Sequence, residues 1–163
     1  MIDINHSVTS NIELEKVLKE LAINNAYKEV KSVAFAGGTA NNMGDFDGTG
    51  NPYTLFNVTG DVLCYIVAVC KENLAGASAT LEVGVTGATA ALIAQTTATD
   101  IDVNEGWFAA TPTLGVANTP QYHAIGGGLD IIQTVGTANI TAGKIDYYCF
   151  WRPLSDDGFV KAA

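Results

Sequence analysis

The chain has 163 residues, a formal net charge of −9 and only 8 Lys and Arg together. That length gives one domain with a core that needs no staples, and the charge balance excludes a phosphate backbone as a favoured ligand. Charged residues make up 15%, below the usual quarter of a soluble chain. Gly, Ala and Thr fill much of the rest, which suits a tightly turned β-fold or a surface partly buried by partners.

The first expected element is a helix. Ser10 caps it, Glu13 completes a capping box, and Leu14, Val17, Leu18 and Leu21 form one apolar stripe. Glu15 and Lys19 make an i,i+4 pair in the favourable order. An arm and helix over residues 1–28 therefore precede a β-domain over 29–163 that ends in a short C-terminal tail. The helix either packs over an end or edge of the sheet or docks on a neighbour.

Beyond it the apolar pattern changes to period two. Strands are expected at 30–35, 53–58, 62–70, 79–86, 90–96, 129–135 and 144–151. Thr59-Gly60-Asp61 reads as a tight turn. Residues 37–51 read as a Gly, Asn and Asp loop, and 71–78 as a polar connection. The acidic stretch 100–106 leads into a short apolar piece at Trp107-Phe108. Pro112 and Pro120 make 111–121 a loop or an edge. Many short strands with Gly-rich turns define an all-β, antiparallel β-sandwich or jelly roll with one N-terminal α-helix.

The run Val62 to Cys70 carries the most information, because it is apolar at both parities. A strand with one wet face alternates. Here Val62, Cys64, Ile66, Ala68 and Cys70 share one side, and Leu63, Tyr65, Val67 and Val69 share the other. The last strand repeats the theme. Ile145, Tyr147, Cys149 and Trp151 lie on one face, with Tyr148 and Phe150 on the other beside Asp146 and Arg152. Such second faces are covered by the helix or the other sheet of the same sandwich, or by another subunit.

Little points to catalysis. The three cysteines, Cys64, Cys70 and Cys149, lie in apolar segments and read as reduced core thiols made in a cytoplasm. His6 and His123 are the only histidines; a Cys149, His123 and Asp triad has no local support. No Cys-x-x-Cys or His-x-x-x-His occurs. Asp45 and Asp47 sit in a loop that lacks the third ligand and the terminal Glu of a calcium site, so a solvated turn is expected there, as for Asp100, Asp102 and Glu105. Gly126-Gly127-Gly128 lacks the Lys-Ser/Thr of a phosphate loop. Neither cofactor nor metal is expected, and neither a secretion leader nor a membrane span is evident. The candidate contact residues are aromatic: Trp107, Phe108, Tyr122, Tyr148, Phe150 and Trp151.

The stretch 146–155, Asp-Tyr-Tyr-Cys-Phe-Trp-Arg-Pro-Leu-Ser, followed by Asp156-Asp157-Gly158-Phe159-Val160, resembles small structural proteins of tailed-bacteriophage virions. Gly60-Asp61-Val62 leading into a strand, and Leu81-Glu82-Val83-Gly84-Val85, resemble them too. The resemblance spans about residues 53–160. It implies a capsid decoration (cement) protein, with no catalytic residues. It also implies a homo-oligomer, a trimer favoured, that sits on the major capsid protein or another virion protein after synthesis in the host bacterial cytoplasm. Two further readings remain open. One is a tail-associated receptor- or glycan-binding module using Trp107 and Tyr122; the other is a small jelly-roll hydrolase with two close carboxylates.

Overall fold

The computed structural model describes residues 26–39, 42–114 and 121–163. The helix expected from Ser10 to Asn24-Asn25 and almost all of the arm lie outside them. Among the described residues ten strands follow in order: β1 (Tyr27–Ala34), β2 (Tyr53–Thr59), β3 (Val62–Ala75), β4 (Thr80–Val85), β5 (Ala88–Thr97), β6 (Gly106–Trp107), β7 (His123–Ile125), β8 (Ile131–Gly136), β9 (Ala142–Pro153) and β10 (Phe159–Ala162). A 3-10 turn, Ala98–Asp100, follows β5.

The strands form two antiparallel sheets in a sandwich-like arrangement. The first has the order β1-β9-β3-β6, with β7 also on β3; the second runs β10-β2-β8-β4-β5. Their inner faces share one core. Leu55, Phe56, Leu81, Val83, Ile131 and Val135 come from the second sheet, and Val62, Cys64, Ile66, Ala68, Ile145 and Tyr147 from the first. Strict alternation along β3 from Val62 to Cys70 and along β9 puts every second side chain into that core, as period-two geometry requires.

Strand β1 begins at Tyr27, within the segment expected as arm and helix, β7 lies where no strand was expected, and three segments depart further from expectation. Strand β3 does not stop at Cys70 but runs to Ala75, pairing Glu72 with Lys144 and Ala75 with Ala142 across two register shifts. Exposed Lys71, Glu72 and Asn73 break the apolar pattern, while Leu74 returns to the core. Gly143 makes the irregularity possible. Its φ is +113°, and a Cβ there would lie 2.5 Å from Leu74 Cδ2 and 2.7 Å from the Asn73 carbonyl oxygen. Such contact is open only to glycine.

The tail expected after Pro153 is instead structural. Residues 159–162 form β10 and pair with β2 from Phe159↔Thr59 to Ala162↔Phe56. Val160 is fully buried, and one buried residue in a four-residue strand leaves no period for a sequence to show. The backbone of β10 also meets the other sheet, where Ala162 N–H donates to Glu29 at 3.3 Å and Lys31 Nζ donates to the Ala163 carbonyl. The third departure concerns Trp107, described below with the other aromatics.

Candidate interaction surface

The central strands of the first sheet, β9 and β3, are paired along nearly their whole length, with β1 on the far side of β9. Residues paired across an antiparallel ladder point to the same side. The inner-face alternation therefore fixes what lies outside. One row crosses the outer face as Lys28, Phe150 and Tyr65; the next as Val30, Tyr148 and Val67; the third as Ser32, Asp146 and Val69. Leu63 faces Arg152 at one end.

This face is aromatic at its centre. The Tyr65 and Phe150 rings stack at 4.8 Å between centroids with 13° between planes. Tyr122 closes the row edge-on to Tyr65 at 4.9 Å. Burial raises the Tyr65 hydroxyl above its usual range, with a smaller push from Tyr122, so the Tyr65 phenol is neutral at physiological pH. Charge sits at the margin: Ser32 Oγ donates to Asp146 Oδ1 at 2.5 Å. The residues of β3 and β9 on this face are half-buried by one another. Among the described residues, no strand or helix packs over them; the second sheet lies on the opposite side.

The aromatic candidates fall in three places. Tyr148, Phe150 and Tyr122 gather on or beside the outer face. Trp107 and Trp151 do not belong to a surface. Trp107 is fully buried, and its indole Nε1 donates to Thr96 Oγ1 at 2.9 Å. Preceding Glu105-Gly106 suggests a loop-to-strand junction, but the cross-sheet acceptor Thr96 draws the indole inward and satisfies its one donor. Trp151 is only 4% exposed, covered by Tyr27 at 4.7 Å and Phe159 at 5.5 Å between ring centroids. Phe108 sits elsewhere, in a groove of about 450 Å³ beside β5 that also takes in Ala91, Leu92 and His123. Sequence reasoning gave no hint of this groove, although the Ala-rich strand beside it was visible.

No arrangement for bond-making chemistry emerges among the described residues. The three thiols are free and buried. Cys149 pairs with Ile66, two residues along β3 from Cys64 on the same face. Hydrogen bonding to Cys64 and burial push its thiol far above the ordinary range, which disfavours the thiolate that nucleophilic attack or metal ligation requires. His123 does stand opposite Cys64 on β7, but burial lowers its basicity. The groove beside β5 is lined by no carboxylate, leaving a paired-acid hydrolysis without a place there.

The oxygen-rich loops are turns, although Asp45 is buried rather than solvated. Asp47 takes a positive φ of 55°, and Phe46 N–H donates to Asn139 Oδ1 at 2.7 Å. Glu105 accepts from the Asp102 N–H at 3.0 Å. No group of three or more His, Cys, Asp or Glu among the described residues is placed to hold a metal ion. No helix among them is long and apolar enough to cross a membrane.

Fold and surface together define an antiparallel two-sheet protein with an apolar, aromatic outer face. Comparison with known protein families, curated proteins and solved structures finds no match.

Proposed function

We propose that this chain is a non-enzymatic structural protein of a tailed-phage virion that assembles with copies of itself and stabilises the capsid from its surface. The observation that carries this reading is the outer face of β1, β9 and β3. An open sheet face in water is polar and alternating; this one presents Tyr65, Val67, Tyr148 and Phe150 together. Contiguous exposed apolar area of that kind marks contact surfaces, and aromatic centres with a charged margin resemble the core and rim of protein interfaces. In this reading the face seats on the major capsid protein, and the trimer is the favoured oligomer. Repetition over a lattice adds avidity to each weak contact. The acidic remainder of the surface keeps the free protein soluble.

The glycan reading has less support, because Trp107, its leading platform, is in the core. The test is co-sedimentation with shells of the parent phage that lack this protein. Saturable binding by the wild-type chain, abolished by Val67→Lys, supports the reading. Absence of binding at any concentration refutes it.

A further inference from the structure

The charged residues of this chain are unevenly distributed. Residues 83–99 contain no Asp, Glu, Lys or Arg, and neither do residues 106–129. The first run holds β5 and the second holds β6 and β7, and the strands belong to different sheets. The fold nevertheless brings the runs together. Ala90, Ala91, Leu92 and Ala94 of the first face Phe108 and His123 of the second across the groove beside β5. Thr96 Oγ1 is 3.1 Å from the Ala110 carbonyl oxygen and fastens the two runs at one end. Burial holds His123 below the ordinary imidazole range, so it too is neutral at pH 7.

Strand β5 is the end of its sheet: it pairs with β4 alone among the described residues. Exposed edges are normally blunted with Lys, Pro, inward-pointing charge or bulges, because unpaired N–H and C=O groups recruit other strands; of these β5 has only the bulges, two register shifts against β4. Over ten residues β5 has no charge and no proline. Ala90, Ala91 and Ala94 stand exposed along it, and such small side chains let another backbone approach closely.

We propose that this charge-free side, the outer edge of β5 with the groove beside it, is the seam along which copies of the chain associate. The occupant is a second copy because of charge. Each copy carries −9, so two copies repel wherever their acidic surfaces face. They approach with the least cost where both carry least charge, and on this side the nearest carboxylate is Glu82 of β4, which accepts from Gln95 of β5 at 3.2 Å. A basic partner would be drawn to the acidic surface instead. The inference rests on the self-assembly in the proposed function, but it uses a surface separate from the aromatic face assigned to the shell.

Light scattering of three proteins tests it: wild type, Ala91→Lys and Val67→Lys. The wild type and Val67→Lys are expected to share one multimeric mass. Ala91→Lys is expected at the monomer mass of 17.0 kDa, with unchanged circular dichroism. A lysine left unpaired in the seam weakens association on the order of a hundredfold or more. Hydrogen exchange supplies a readout without a variant: amides of β5 become slower to exchange as the wild type is concentrated, while those of β1 do not. Multimeric Ala91→Lys overturns the seam, as does dissociation by Val67→Lys or β5 exchange that ignores concentration. If Ala91→Lys does not fold, Ala94→Lys and the exchange data decide. A wild type that is monomeric at all concentrations overturns the seam and self-assembly together; loss of shell binding alone refutes only the shell contact.

Discussion

Val62 and Val67 are the same residue type on the same strand, and they point to opposite faces. Val62 has no solvent exposure; Val67 is half-buried on the outer face. Truncation of each to alanine compares the two faces with the chemistry held fixed. Removing the branches of Val62 loses about 0.8 kcal/mol per buried carbon, and the cavity left in a packed core adds more. The expected cost is about 2–3 kcal/mol, which lowers Tm by about 5–10 °C in a domain of this size. Val67 borders water, so no cavity persists and only part of the transfer term is lost; its cost is below about 1 kcal/mol. Urea denaturation at low protein concentration, where association contributes nothing, measures both. Equal losses for the two variants would refute the reasoning, because the outer face would then be covered within a single chain.

Thr96→Val leaves the buried indole N–H of Trp107 without its acceptor, and about 1–3 kcal/mol of stability is lost; a cycle with Trp107→Phe should show the two losses to be strongly non-additive. His123 should titrate by NMR with a midpoint below 6.5, since burial favours its neutral form. Its folded value lies below its unfolded one, so the unfolded state binds the proton first as pH falls through 6.5. Stability contributed by this residue is thus complete above that pH and declines below it, by a small amount because the ring is partly solvated; His123→Gln should flatten the decline. Cys149 should resist a thiol reagent in the native protein and react at once in denaturant.

The double-sided character of β3 and β9 was legible because apolar residues occupy both parities from Val62 to Cys70. Leu63, Tyr65 and Val67 could not all face water. Their neighbours across the ladder, Tyr148 and Phe150, were legible for the same reason. The position of Trp107 was not. Its burial depends on Thr96, which is remote in pattern and meets it only after the two sheets pack. Strand β10 was hidden by its brevity, and the end of β3 by Lys71-Glu72-Asn73, whose exposure comes from a bulge that Gly143 permits. Each charge-free run can be read directly from the chain. That they border one groove is a fact of the fold.

Hydroxyl-radical footprinting of the shell-bound and free protein tests the assignment of the outer face most directly. The account predicts that Tyr65, Tyr122, Tyr148 and Phe150 are protected on binding, while Phe46, 39% exposed on a distant loop, is oxidised equally in both states. Equal oxidation of the four outer-face aromatics in bound and free protein would contradict it.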